Sequence, residues 1–201
     1  MRTLYLARHG AADGDGDLLA EGRSQARLLG ERLAGKGITA VHHSPKPRAA
    51  ETAAIVAESL GGVPVTASDL VGDVPPSIPD PGDLPPAFAP AAQRFIDGFD
   101  EQARRDGPGL AERALAEFAA PADEDVRELV ITHSQLVCWF VRAALGAPAW
   151  RWLAVNAANA ALTVIHYGPG RPDSVALFND QSHLPPALRW TGFPPGRRDL
   201  Y

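Results

Sequence analysis

Cysteine is nearly absent: Cys138 is the one thiol in 201 residues. That excludes an internal disulfide and a cysteine-rich zinc site. An excess of cations is also missing. Lys and Arg number 19 against 24 Asp and Glu, for a net charge of −5. No nucleic-acid surface is expected from that balance, and any anion site must be a local basic cluster on an acidic protein. No apolar run approaches the roughly 18 residues of a membrane span, so no membrane partner is expected. The N-terminus shows no signal-peptide pattern and enters the first strand directly. Together these features read as a soluble cytoplasmic protein. Repeats and low-complexity linkers are lacking too, and the length suits one domain over residues 1–201.

What is present starts at Leu4-Tyr5-Leu6-Ala7-Arg8-His9-Gly10. An apolar, β-prone run ends in a cation, an imidazole and a glycine. A strand that stops there delivers polar groups to its C-terminal edge, where open α/β sheets bind ligands. Arg8 offers a planar fork of donors for an oxyanion. His9 can attack phosphorus as a neutral imidazole, or serve as acid, base or metal ligand. Gly10 lets backbone and ligand approach closely.

The rest of the chain supplies alternating strands and helices. Strands are expected over residues 3–7, 38–41, 63–65, 129–132, 161–166 and 174–178. Helices are expected over 20–33, from Ser44-Pro45 to about residue 60, and from Ser134, as a cap, to residue 145. A short helix follows Pro148. The region of about 69–125 differs. Prolines crowd residues 75–90 and forbid regular structure there, and two helical stretches follow, near 91–105 and 110–119. This region reads as an insertion lying over the active-site edge of the sheet. The tail from Leu184 reads as surface. The fold class is α/β: a three-layer sandwich with a mostly parallel sheet, helices on both faces and a hairpin at one edge.

A second apolar strand also ends in histidine, at His133. Arg48 falls one turn into a helix that opens at Ser44-Pro45, and a helix N-terminus favours anions. A lone helix arginine is ordinarily a solvated side chain, and a lone histidine after a strand is ordinarily structural. Two of each, at equivalent element ends, define one compact pocket for a dianion: Arg8, His9, Arg48 and His133. No spacing suits a metal. His42 and His43, adjacent on a strand, face opposite ways. Cys138 reads as buried and inert.

On these residues the chain resembles the histidine phosphatase superfamily, in its phosphoglycerate mutase-like branch. The likeness is carried by Arg8-His9-Gly10, by Glu21-Gly22-Arg23-Ser24-Gln25-Ala26, by Ser44-Pro45-Lys46-Pro47-Arg48-Ala49 with Thr52-Ala53, and by Val130-Ile131-Thr132-His133. Asn159-Ala160-Ala161-Leu162-Thr163 and Asn179-Asp180-Gln181-Ser182-His183-Leu184 match as well. The resemblance implies phosphoryl transfer through a phosphohistidine on His9, with no metal or other cofactor. Arg8, Gly10, Arg48, His133 and Ser134 would bind the phosphoryl group. His9 also needs an acceptor for its second nitrogen, and the sequence does not name it.

The family's proton donor, usually a glutamate, falls on Asp73, with Asp69 and Asp80 as rivals. Burial under the proline-rich stretch would raise the proton affinity of such an acid. Ser134 stands where the acid-phosphatase branch places an aspartate, so that branch fits poorly. The chain also departs from its own branch. Ala11-Ala12 replace side chains that hold phosphate, His43 stands where serine is common, and the arginine-rich insertion of mutases has no counterpart. Residues 69–81 and 156–163 resemble a mitochondrial member of the family that dephosphorylates proteins. The expected function is a phosphomonoesterase acting on a phosphorylated small molecule or phosphoprotein. A phosphoglycerate-type mutase and a non-catalytic phosphoryl-binding module are the alternatives.

Overall fold

Six strands form one sheet in the order β3-β2-β4-β1-β5-β6 in the computed structural model, which describes residues 1–14, 16–193 and 196. β1 (Arg2–Arg8), β2 (Ala40–His43), β3 (Val65–Ala67) and β4 (Val126–Thr132) are mutually parallel. β5 (Leu162–Tyr167) and β6 (Ser174–Asp180) add an antiparallel edge against β1. β1 and β4 are central and in register, Arg8 opposite Thr132, so both reach the same edge of the sheet. The residues that follow them are His9 and His133.

Strand alternation splits the apolar residues between two faces. Leu4, Leu6 and Val130 join a core cluster with Trp139, Phe140 and Phe118. Ala7, Leu129 and Ile131 join the other, with Leu29, Leu33 and Val56. Helices α1 (Ala20–Leu33) and α2 (Pro47–Ala57) cover the second face. Helices α4 (Glu101–Phe118) and α5 (Ser134–Ala144) cover the first, and α3 (Ala89–Asp97) contributes Ile96 to it. Complete burial of side chains such as Leu6, Leu29 and Phe140 contributes about 1.5–3 kcal/mol each. No helix among the described residues is long and apolar enough to cross a membrane.

Besides β2 and β3, which lie two residues later than expected, four parts of the chain depart from the sequence reading, each for a local reason. First, α2 opens at Pro47, with Lys46 as cap, rather than at Ser44-Pro45. A residue before proline is pushed out of the helical region, and Lys46 is accordingly extended at φ −63°, ψ 138°. Arg48 is therefore the second helical residue, closer to the N-terminus than expected. Second, α5 is capped at His133, which makes Ser134 its first residue instead of its cap. Third, the helical break falls at residues 98–100, and α4 runs through Pro108. The Asp100 carboxylate accepts from the Ala103 N–H at 2.7 Å and starts that helix. Ala111, Ala114 and Phe118 bury at helical spacing beyond the proline, and their packing offsets its one missing hydrogen bond. Thus α4 is an integral part of a helical layer rather than of an insertion over the sheet edge. Fourth, the tail is not all surface: Leu184 and Thr191 are buried. Asp15 of the first loop and the last residues of the tail, 194, 195 and 197–201, lie outside the described residues.

Candidate active site

His9 follows β1 and is held on both sides. Its N–H donates to the Thr132 carbonyl at 2.9 Å, which ties the ends of β1 and β4 together. Its carbonyl accepts from Asn159 Nδ2 at 2.9 Å. Ala160, at φ 52° in the left-handed region, donates its N–H to Arg8 O at 2.9 Å. A strained non-glycine residue whose N–H grips a strand end is the kind of outlier that accompanies function.

The imidazole's second nitrogen has a partner that the sequence could not name. His9 Nδ1 lies 2.7 Å from the carbonyl of Gly10, so the hydrogen sits on Nδ1 and is donated to that oxygen. Nε2 is thereby left with its lone pair, 3.1 Å from the Arg48 Nε–H that donates to it. Gly10 is fixed in turn, since its N–H donates to Thr52 Oγ1 at 3.1 Å and that hydroxyl donates to the Arg48 carbonyl at 2.6 Å. The expected part of Gly10 in binding substrate needs correction, because Gly10 is buried and does not line the cavity. Its missing side chain serves a backbone contact instead: a Cβ there would lie 2.5 Å from Gly22 O of α1.

Arg8, His9, Arg48, His133 and Asp73 line a single cavity of about 350 Å³, with Ser134 and Asn159 at its wall. Arg48, buried at the start of α2, is the hub. It donates to His9, its Nη2 pairs with Asp73 Oδ2 at 2.6 Å, and the same nitrogen lies 3.4 Å from His133 Nδ1. The two imidazole rings are 5.1 Å apart. His133 Nε2 lies 2.9 Å from Ser44 Oγ. A guanidinium only donates, so His133 Nδ1 is the acceptor towards Arg48 and the ring's hydrogen sits on Nε2, donated to Ser44 Oγ. Arg8 Nη1 donates to the carbonyls of Ala157 at 3.0 Å and Gly192 at 3.3 Å. Ser134 lines the cavity, and its Oγ accepts from the Ala157 N–H at 3.2 Å. Asp73 is the one of the three candidate acids that reaches the site. Asp69 opens a 3₁₀ turn, and Asp80 caps another by accepting from Gly82 N–H at 2.8 Å. Neither lines the cavity.

Electrostatics keep both imidazoles neutral. Burial, then Arg8 and Arg48, pull His9 down to about 3, against an opposing contribution from the Gly10 carbonyl. Burial, then His9, Arg48 and Arg8, hold His133 well below 6.5. Burial also lowers Arg8 from its usual value, partly opposed by Asp73. The sign of the pH effect follows. The unfolded chain takes up protons on these histidines below about pH 6.5, and the folded chain does not. Stability is therefore expected to fall as pH drops from about 6.5 towards the folded value. The ring resonances of His9, assigned by difference from His9→Gln, should show no titration between pH 8 and 5. A midpoint near 6.5 would contradict the neutral-imidazole site.

Other contributors were hidden in the sequence. Thr191 and Gly192 of the tail form part of the cavity wall. Gly192, at φ +83°, packs so closely on Arg8 and Asn159 that a side chain there would overlap both. Gln25, fully buried, binds that tail to the first loop. It accepts from Ala11 N–H and donates to Leu188 O and Thr191 Oγ1, each at 2.8 Å. Glu21 lines the cavity too. Two readings outside the site held: His42 pairs with Glu128 at 3.3 Å while His43 turns to Ser44 O at 2.8 Å, and Cys138 is buried with its thiol pushed up to about 12.

Comparison with known proteins agrees with this geometry. The sequence model of the histidine phosphatase superfamily (branch 1) matches residues 4–73 and 91–180 and passes over 74–90. The mitochondrial serine/threonine-protein phosphatase Pgam5 of Caenorhabditis elegans is 34% identical over 192 residues, which cover 92% of this chain and 65% of that protein. Its human counterpart is 30% identical over 198 residues, covering 92% of this chain and 64% of that protein. The chain thus spans somewhat less than two thirds of the length of these relatives. Bacillus stearothermophilus YhfR has the same fold, with a TM-score of 0.72 over 92% of this chain and 100% of that one at 22% identity. The expectation of a cytoplasmic protein is overturned here, because these relatives are named as mitochondrial. Matched along most of its length, with both histidines and both arginines gathered at one sheet edge, the chain belongs to the histidine phosphatase superfamily, branch 1.

Proposed function

We propose that this chain is a phosphomonoesterase that works through a phosphohistidine on His9, and that residues 1–201 carry the activity as one domain. One observation carries the reading: His9 Nε2 carries no hydrogen and keeps its lone pair, which accepts from Arg48 Nε–H in a cavity that Arg8 also lines. Family membership and the phosphatases among the relatives support it.

The chemistry then runs in two balanced steps. Nε2 attacks phosphorus as the P–O bond to the leaving group breaks, and Asp73 gives that oxygen its proton. Water then attacks phosphorus as the N–P bond breaks, returns a proton to Asp73 and releases inorganic phosphate. Arg8, Arg48 and His133 hold the equatorial oxygens, where charge stabilisation and positioning matter most. The Nε of Arg8 is buried with no hydrogen-bond partner, a cost tolerated where a ligand oxygen provides the acceptor. Among the described residues lining the cavity, Arg8 and Arg48 are the only Lys or Arg side chains, which suits one phosphoryl group rather than the two of a mutase substrate.

Two results are expected. Activity should be unchanged in excess chelator, because protein cations already face the phosphoryl group. Loss of activity restored by a divalent ion would contradict this. Arg48→Lys should lower kcat/KM on the order of 10²-fold or more, because one ammonium cannot reach His9 and Asp73 together as the guanidinium does. Steady-state kinetics on nitrophenyl phosphate would measure it, and a fully active variant would show that charge alone suffices.

A further inference from the structure

A second cavity, of about 390 Å³, opens off the phosphoryl site, and Arg8, Ser134, Gln135 and Gly192 line both. The two cavities differ in character. Away from that junction the second one is walled by the rings of Phe88, Phe95, Trp152 and Phe193. Arg8 is the only charged residue among its described lining. The floor is rigid: Trp152 is buried, and its Nε1–H donates to Ser77 Oγ at 3.0 Å. Phe95 stands over it, rings 6.0 Å apart and tilted by 54°, yet remains 48% exposed on its own. Phe88 lies in residues 74–90, the stretch that the family's sequence model passes over.

We propose that this cavity is the leaving-group subsite and that it takes an uncharged aromatic group carried close to the ester oxygen. The proposal rests on the phosphatase reading above. With phosphorus at His9 Nε2, the leaving group departs across the junction, and the space beyond it is ring-lined and lacks a second cation. A charged leaving group would lose hydration there and gain no partner. An aromatic ring would bury its faces against Phe95 and Trp152 in offset or edge contact. Transfer of one such ring from water is worth about 10–100-fold in binding. The ring can belong to an aryl phosphate or to an aromatic side chain next to a phosphoserine or phosphothreonine.

The test compares 2-naphthyl phosphate with acetyl phosphate, whose small group does not fill the cavity. The readout is the ratio of their kcat/KM values, in which loss of folded protein cancels. Ala91 lies on the exposed rim of the cavity, so Ala91→Trp fills it without disturbing the core. That variant should lower the naphthyl-to-acetyl ratio about tenfold or more, and Phe95→Ala should lower it in the same direction. An unchanged ratio in both variants would overturn the subsite.

Phosphoserine peptides with Phe or Ala beside the phosphoserine identify the source of the ring. A roughly tenfold advantage of the Phe peptide assigns it to polypeptide, and equal rates with a retained naphthyl preference assign it to small aryl esters. Calorimetry with 2-naphthylmethylphosphonate and methylphosphonate separates the two readings. If no ester is hydrolysed but the naphthyl compound binds about 10–100-fold tighter, the phosphatase reading fails and the subsite stands. Turnover of acetyl phosphate with equal phosphonate affinities defeats the subsite alone.

Discussion

His9→Ala is expected to reduce turnover of any phosphomonoester on the order of 10⁴-fold or more, the scale on which covalent nucleophiles act. The loss should be chemical rather than structural. The His9 ring bonds its own neighbour through Nδ1 and Arg48 through Nε2, and it packs in a polar crevice, not in either apolar cluster. Trimming it costs about 1–2 kcal/mol of folding stability, far less than a core deletion. Arg48 keeps Asp73 as its ion partner in the variant, so no buried charge is stranded. Circular dichroism melts should therefore stay within several degrees of wild type while the assay falls to background. Robust turnover by a folded His9→Ala protein would remove the nucleophile from the mechanism.

Asp73→Asn is expected to lower hydrolysis of alkyl phosphates about 10²–10⁴-fold and largely to spare nitrophenyl phosphate. An alkoxide leaves as a strong base and needs a proton in the transition state, whereas a nitrophenolate does not. The geometry alters how Asp73 comes to hold that proton. Its side chain is 21% exposed and lies 2.6 Å from the Arg48 guanidinium, so in the free site it is an ion-paired carboxylate. A phosphoryl dianion entering beside Asp73 brings like charge and competes for Arg48, and both effects favour the protonated form. Rates on alkyl esters should fall as pH rises through that acid's value in the complex, and Asp73→Asn should lack the fall. Equal losses on both substrates would make Asp73 a positioning residue. Asp69→Asn and Asp80→Asn should show no selectivity, since neither side chain reaches the cavity.

The parts of the site that were legible in the sequence are those fixed by local rules. An apolar run ending at Arg8-His9, another ending at His133 and a proline-started helix bearing Arg48 each state their own position. The alternation of strands and helices then places the ends together. What the sequence did not disclose depends on backbone atoms or on distant partners. The acceptor for His9 Nδ1 is a carbonyl, which every residue possesses, so no side chain announces it. Asn159 reaches His9 across 150 positions, and Thr191 meets Gln25 across 166. Ser44, expected to cap α2, is excluded from that position by Lys46-Pro47 and so is available to His133. The course of α4 through Pro108 was hidden for a different reason. Gly107 and Pro108 look like a stop signal, yet Gly107 is needed where the helix passes the Val74-Pro75 backbone, since a Cβ there would lie 2.6 Å from Pro75 O.

The most direct test of a phosphohistidine at His9 is to quench the enzyme during turnover and map the phosphoryl group by mass spectrometry. The expected adduct is labile in acid, stable in alkali and located on His9, and it is absent from His9→Ala. Turnover with no trapped adduct under quench conditions that preserve phosphohistidine, or an adduct on any other residue, would contradict it.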